Sequence, residues 1–274
     1  MPKTVLITGC SSGIGAALAR EFQRRGHRVI ASARQPAALA ELAAAGLQTL
    51  ALDVNDAASI EAAVAALQAS APDGLDLLIN NAGYGQFGAV IDLQAEDLRA
   101  QFETNVIAPV MLSRALLPLL RRRPGACIAH VGSISGLLTT PFAGAYCASK
   151  AALHALADAM RMELAPLGLR VVTVQPGGIA SHFGAAAKER VRLPDDSLYR
   201  GIAAFVRGRA DAQQHGATPV DQFAATVATH LLDPRAGPIC RTGSQSRKLP
   251  LFKRWLPTAL LDRKLSERFG LDRL

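Results

Sequence analysis

Thr4-Val5-Leu6-Ile7-Thr8-Gly9-Cys10-Ser11-Ser12-Gly13-Ile14-Gly15 is the stretch on which the reading of this chain turns. Thr4 to Thr8 is a short apolar run closed by glycine, the pattern of a buried strand. Leu18, Ala19 and Phe22 follow at helical spacing. A glycine-rich turn between strand and helix lets backbone come close to a diphosphate, and the helix N-terminus points N–H groups at the anion. The competing reading is a plain tight turn that binds nothing. The spacing is Thr-Gly-x-x-x-Gly-x-Gly, not the commoner Gly-x-Gly-x-x-Gly, and points to one branch of the dinucleotide-binding fold.

Outward from this turn, the second strand is read over Arg28 to Ala33. A site for NAD places Asp or Glu at the end of that strand to hold the ribose 2′-hydroxyl. Here Ala33 is followed by Arg34, and a guanidinium suits a 2′-phosphate, with Ser32 able to add a hydroxyl. This favours NADPH over NADH; the alternative is a merely solvated Arg34. A helix is read over Pro36 to Ala45 and a third strand over Leu47 to Leu52. Asp53-Val54 ends that strand where an adenine amino group can be received, while Asn55 or Asp56 can cap the next helix, Ala57 to Ala69. The fourth strand, Leu75 to Ile79, runs into Asn80-Asn81-Ala82-Gly83, small enough for a flat ligand to lie on the backbone. Tyr84 to Asp92 reads as a loop. Glu96 to Arg123 reads as one long helical stretch with Asn105 in the middle. Asn is a poor helix former and Pro109 lies four residues on, so a kink there would free a carbonyl; otherwise Asn105 faces solvent.

The fifth strand, Ala126 to Val131, leads to Ser133, at the strand end where open α/β sheets bind ligands. The next helix carries Tyr146-Cys147-Ala148-Ser149-Lys150 and runs to about Leu164. Tyr and Lys four residues apart share one helix face. An ammonium beside a phenol favours the phenolate, and the pair can then exchange a proton with a carbonyl or alcohol oxygen. A sixth strand, Leu169 to Gln175, ends in Pro176-Gly177-Gly178-Ile179-Ala180-Ser181, and Pro238 to Arg241 is a candidate seventh. Alternating strands and helices predict an α/β fold, a doubly wound parallel sheet.

The chain has 274 residues, 50% of them hydrophobic and 19% charged, which fits one large enzyme domain. The net charge of +8 is uneven: +6 falls on Arg241 to Leu274, leaving +2 on the first 240 residues. A near-neutral body argues against a nucleic-acid binder. Cys10, Cys127, Cys147 and Cys240 form no paired motif and the six His form no metal pattern, so reduced thiols in a cytoplasmic protein without a metal are expected. Met1-Pro2-Lys3 leads at once into the first strand, so no signal peptide is expected, and no apolar run is long enough to span a bilayer.

Taken together, Thr8-Gly9-Cys10-Ser11-Ser12-Gly13-Ile14-Gly15, Asn80-Asn81-Ala82-Gly83, Asn105, Ser133, Tyr146-x-x-x-Lys150 and Pro176-Gly177 resemble the short-chain dehydrogenase/reductase family in order and spacing over residues 3 to 182. Ser181 departs from the Thr usual there but keeps the hydroxyl. The resemblance implies a Rossmann fold with Tyr146 as proton donor and acceptor. Lys150 would lower its pKa and hold the nicotinamide ribose. Ser133 would stabilise charge on the substrate oxygen, and Asn105 would hold, through its freed carbonyl, a water linked to Lys150. The cofactor would be bound by Gly9, Ser11, Ser12, Gly13, Ile14, Gly15, Arg34, Asp53, Val54, Asn81, Ala82, Gly83, Tyr146, Lys150, Pro176, Gly177, Ile179 and Ser181. Gly132-Ser133-Ile134-Ser135-Gly136 and the Pro141 to Lys150 run further resemble the hydroxysteroid and retinol dehydrogenase-like branch and its bacterial aldehyde and ketone reductase relatives. A homodimer or homotetramer is implied as well.

Residues 182 to 219 read as a substrate loop whose Phe183, Leu193, Leu198, Tyr199, Ile202, Phe205 and Val206 either line an apolar pocket or pack the loop down. A helix over Val220 to Leu232 follows. Residues 1–245 are thus expected to form the catalytic domain and 246–274 a basic amphipathic tail divided at Pro257. The tail's apolar face either closes over the pocket, packs on a partner subunit, or lies on a membrane surface. The expected activity is an NADPH-preferring oxidoreductase acting on an aldehyde, ketone or secondary alcohol of apolar character. The alternatives are a membrane-associated retinoid- or steroid-type dehydrogenase and a catalytically weak NADPH sensor.

Overall fold

Runs of aliphatic residues with no polar alternation build the centre of the molecule, because a parallel sheet is covered on both faces. In chain order the elements of the computed structural model begin with β1 (Thr4–Ile7), α1 (Gly13–Arg24), β2 (Arg28–Ala33), α2 (Ala40–Ala44), β3 (Gln48–Ala51), α3 (Ala57–Ser70), β4 (Leu77–Asn80) and β5 (Phe87–Gly88). The middle comprises α4 (Ala95–Phe102), α5 (Ala108–Leu120), β6 (Cys127–Val131), α6 (Gly144–Leu164), β7 (Arg170–Pro176), β8 (Ile179–Ala180), α7 (Phe183–Lys188) and β9 (Val191–Arg192). The chain ends with α8 (Ala203–Gly208), β10 (Thr218–Pro219), α9 (Val220–Leu232), β11 (Ile239–Thr242), α10 (Lys248–Trp255) and α11 (Thr258–Arg268). The structure describes residues 1–181, 183–211 and 216–274; of the expected substrate loop, His182 and residues 212–215 lie outside the described residues.

Seven strands form one parallel sheet in the order β11-β7-β6-β4-β1-β2-β3. β4 and β6 are buried at every position. One face is covered by α1 and α9, where Leu18, Phe22, Phe223 and Val227 meet the sheet; α3, α5 and α6 cover the other with Leu67, Leu112, Leu116 and Ala157. Strand order reverses between β1 and β4, and ligands of such sheets bind in the crevice outside that reversal. The doubly wound α/β expectation is met, with each of the seven anticipated strands present.

Two local expectations need correction. Residues 36–45 are a 3₁₀ turn, Pro36–Leu39, followed by the short α2. The loop from Tyr84 carries β5, which pairs with β9 through Phe87↔Val191 and Gly88↔Arg192. The fault expected at Asn105 in the long helical stretch from Glu96 is present as a π-helical turn, Glu103–Ile107. Pro109 has no N–H for the carbonyl four residues before it, that of Asn105, and the ladder is re-registered: Ala108 N donates to Glu103 O.

Candidate active site

At the first βα turn the backbone is packed so closely that side chains are excluded. Gly9 has φ +70°, and a Cβ there would lie 2.8 Å from Ala82 Cα; one on Gly15 would lie 2.2 Å from the Gly9 carbonyl oxygen. Thr8 ties the turn to β4's end: its hydroxyl accepts from Asn81 N and Ala82 N, both at 3.0 Å, while Asn81 Nδ2 donates to Thr8 O at 2.8 Å. The α1 N-terminus carries no side-chain cap and no acid in its first turn. Its free N–H groups and positive dipole end therefore face the crevice, as a diphosphate requires.

A cleft of ≈ 490 Å³ runs along the carboxyl ends of the strands. Its lining brings together Gly9, Ser11, Ser12, Gly13, Ile14, Arg34, Asp53, Val54, Asn81, Ala82, Gly83, Ser133, Tyr146, Lys150, Pro176, Gly177, Ile179 and Ser181. Gly15 stands just beneath, against Gly9. Arg34 is exposed at the rim, next to Ala33 and with no acid at that strand end. Asp56 is the cap of α3, accepting from Ala58 N at 3.1 Å, which leaves Asp53 on the cleft wall. Ser32 is a correction: it is buried, and its hydroxyl donates inward to Ile7 O at 3.2 Å, turned away from the cleft. The cradle, the helix end and the rim arginine fit a nicotinamide dinucleotide. Among the described residues no group of His, Cys, Asp or Glu could hold a metal.

Ser133, Tyr146 and Lys150 converge at one end of this cleft, each at most 6% exposed. Tyr146 lies between the rings of Phe87 and Phe183, at centroid distances of 5.9 and 5.6 Å. Burial pushes its phenol up to about 12, against the opposing pull of the Ser133 hydrogen bond and the Arg209 charge. Lys150 Nζ donates to Val131 O at 2.7 Å and sits 6.0 Å from the Tyr146 ring centroid. Burial brings the ammonium down to about 8. Lys150 is not among the groups that shift the phenol here, and burial holds the phenol protonated at neutral pH.

Asn105 is buried within the π turn, not solvent-facing. Its Oδ1 accepts from Tyr84 N at 3.1 Å, and its Nδ2 donates to Tyr84 O at 2.9 Å and Ser149 Oγ at 3.1 Å. A Cβ on Gly83 would meet both Asn105 Oδ1, at 2.9 Å, and Lys150 Nζ, at 3.7 Å, so the two residues share one corner of the site.

Around the site the expected pocket residue Phe183 is present, and several others were not singled out from the sequence. Phe87 and Phe183 flank the tyrosine, and Tyr84 and Arg190 line the cleft; only Tyr84, directly after Asn80-Asn81-Ala82-Gly83, had a motif beside it. His154 Nε2 accepts from Ser133 N at 3.3 Å, and Gly132 makes room for its ring, since a Cβ there would lie 2.2 Å from Nε2. Burial brings His154 down to about 4, so it stays a neutral acceptor behind the serine. Arg209 is buried with Nε donating to Thr140 Oγ1 at 3.0 Å and Cζ over the rings of Phe87, at 5.3 Å, and Phe269, at 5.5 Å. Cys147 is a packed, protonated thiol whose pKa burial raises.

This geometry has relatives. The short chain dehydrogenase family model matches residues 3–192. A short-chain dehydrogenase/reductase of Pestalotiopsis microspora is 35% identical over 98% of this chain and 95% of its own. The NADPH-dependent 1-acyldihydroxyacetone phosphate reductase of Saccharomyces cerevisiae is 30% identical over 99% of this chain and 93% of its own. A short chain dehydrogenase/reductase from Burkholderia phymatum, solved in complex with NAD, superimposes with a TM-score of 0.79 at 25% identity over 96% of this chain and 95% of that one. The chain belongs to the short-chain dehydrogenase/reductase family and is an oxidoreductase that uses a nicotinamide cofactor.

Proposed function

We propose that the chain is an NADPH-preferring oxidoreductase acting on an aldehyde, ketone or secondary alcohol with an apolar body. The observation that carries this reading is the convergence of Ser133, Tyr146 and Lys150, buried together at the end of the cleft that begins at the glycine turn. The cofactor, when bound, supplies or takes up the hydride. The glycine turn and α1 N-terminus hold its diphosphate, Arg34 its 2′-phosphate, Asp53 and Val54 the adenine, and Pro176, Ile179 and Ser181 the nicotinamide end. Tyr146, protonated at neutral pH, gives its proton to the carbonyl oxygen, and the Ser133 hydroxyl donates to the same oxygen as charge develops there. Lys150 orients the nicotinamide ribose and restores charge balance once the phenolate forms. Asn105 fixes the corner through which that proton is replaced. Phe87, Phe183 and Ala187 supply an apolar wall beside Tyr146. The yeast relative is named NADPH-dependent, and its named substrate carries an acyl chain, which favours the same cofactor and an apolar body.

The test is oxidation of NADPH over a panel of aldehydes and ketones, repeated with NADH and with Arg34→Ala. Turnover with NADPH, weaker turnover with NADH and loss of that difference in the variant are expected. Equal rates with both cofactors in the unaltered chain would remove the Arg34 argument. Leu98, Ile107 and Met111 on the α4–α5 side and Leu156 and Met162 on α6 are exposed, which supports assembly as a homodimer or homotetramer through these helices. A second reading, peripheral membrane attachment, draws on α10: Leu251, Phe252 and Trp255 are 52%, 50% and 74% exposed beside Lys248, Lys253 and Arg254. Among the described residues no helix is long and apolar enough to cross a membrane. Co-sedimentation with anionic vesicles that Trp255→Ser does not weaken would count against α10.

A further inference from the structure

The glycine turn and the α1 N-terminus already provide for a diphosphate, and Arg34 for a further phosphate at the far rim. Besides Lys150 at the catalytic tyrosine, Arg190 also lines the cleft, with its N donating to Ala187 O at 3.2 Å and its guanidinium beside Tyr84. No carboxylate pairs with Arg190 among the described residues. Its Cζ lies 4.6 Å from the Tyr84 ring centroid, so the guanidinium plane is supported by an aromatic face.

The chain holds this stacked pair from behind with buried polar groups. Gln101, fully buried, accepts from Gln86 N at 2.7 Å and donates to Tyr84 O at 2.9 Å. Gln86 in turn donates through Nε2 to Arg190 O at 2.7 Å, and Asn105 holds Tyr84 by both its N and its O. Pairing of β5 with β9 begins at the next residue, Val191. Buried amides are costly unless fully bonded; here their bonds fix the backbone of Tyr84 relative to that of Arg190. Earlier in the same segment, Phe183 packs on the Tyr146 ring and Ala187 belongs to the same apolar cluster. The segment that shapes the wall beside the catalytic phenol therefore ends in an uncompensated, stacked guanidinium facing the same cleft.

We propose that Arg190, stacked on Tyr84, is a specificity-determining residue that binds an oxyanion, carboxylate or phosphate, carried by the carbonyl or alcohol substrate. The substrate class is then an apolar carbonyl compound with an anionic end, seated with its carbonyl at Tyr146 and its charge at Arg190. This rests on the reductase reading above and adds the substrate's charge to it. A planar, always-charged guanidinium gives a carboxylate or phosphate two parallel donors, which a lysine does not.

The test compares two ketones of equal length, one ending in a carboxylate and one in its methyl ester, with the NADPH-loaded protein, Arg190→Met and Arg190→Lys. Loss of a charge-assisted hydrogen bond predicts a fall in kcat/KM for the carboxylate of about 10- to 100-fold in Arg190→Met. Arg190→Lys should recover part of it, the ester rate should hold, and NADPH affinity should not change. A fall of equal size for acid and ester overturns the proposal, as does a loss of NADPH affinity that accounts for the whole effect, which would assign Arg190 to the cofactor's diphosphate. Ester turnover by the unaltered chain reports on the reductase reading alone. If neither ketone is turned over, titrating the keto acid against the fluorescence of bound NADPH still decides: weaker binding in Arg190→Met upholds the anion site, and equal binding overturns it.

Discussion

The two ends of the cleft are built from different materials. At the glycine-turn end the surfaces are backbone: a Cβ on Gly9 or Gly15 would lie 2.8 or 2.2 Å from a neighbouring main-chain atom. At the substrate end the surfaces are side chains: Phe87, Phe183, Ala187 and Arg190, backed by Arg209 and by Phe269 from beyond α11. Backbone-to-backbone contact dictates residue type, because only glycine fits it. A wall of side chains can be assembled from many combinations of equal volume. The first end should therefore fail through chemistry or exclusion at single atoms, and the second through packing.

The sharpest separation comes from Tyr146→Phe. The ring stays between Phe87 and Phe183, and only the hydroxyl is lost. Turnover should fall about 10²- to 10⁴-fold, the usual worth of a positioned acid–base group, with NADPH affinity unchanged. A catalytically active Phe variant would take the proton-transfer role from Tyr146 and would favour a protein that binds NADPH without needing this chemistry.

A packing failure is expected from Phe269→Ala. Phe269 is 6% exposed and meets Ala89, Phe142, Ile202 and Val206, with the Arg209 guanidinium over its ring. Truncation should cost about 3 to 4 kcal/mol of unfolding free energy and raise KM more than it lowers kcat, since the wall loosens while Ser133, Tyr146 and Lys150 stay in place. Denaturant titration and steady-state kinetics read both quantities. A loss below about 0.5 kcal/mol, the scale of surface substitutions, would show that the tail does not support the substrate end.

The same contrast explains what could be read from residues alone. The sheet was legible because its strands are unbroken aliphatic runs followed by Gly, Asn or Pro, and the cofactor end because its spacings record backbone approach. Asn105 was legible as a helix fault, since Pro109 removes the donor its carbonyl needs. Its clamp on Tyr84 was not, because nothing local marks a contact between residues 21 apart. Ser32 was misread for a related reason: a strand residue has two faces, and the strand run alone did not show which one Ser32 presents. Phe183, Arg190 and Arg209 lie beyond the motifs, in a segment with no period. In the tail, apolar spacing revealed two helices but not their different fates: half-buried Leu265 of α11 and buried Phe269 just beyond it join an apolar cluster with Phe142, Ile202 and Val206, while no residue of α10 is part of such a cluster among the described residues.

The smallest effect tests whether acid weakens the molecule from its cofactor-binding half. His130 is fully buried in β6, with Nδ1 3.3 Å from Asn80 Nδ2 and Nε2 without a partner among the described residues. Burial brings its imidazole from the ordinary 6.5 down to about 4, and His154 is depressed to a similar degree. As pH falls from 6.5 to 4 the unfolded chain takes up protons that the folded chain refuses, so the histidines lower stability across that window and their part of the decline ends below it. His130 alone accounts for about 3 kcal/mol of it. Glu21, held near 2 by the Arg24 and Arg25 guanidiniums against an ordinary 4.5, loses its contribution only as pH falls from 4.5 to 2. The interval from 6.5 to 4.5 therefore isolates the histidines. Urea unfolding at both ends of that interval should show a smaller loss in His130→Asn than in the unaltered chain. An equal loss would mean that the acid response originates elsewhere, with the side-chain-built substrate end as the next place to look.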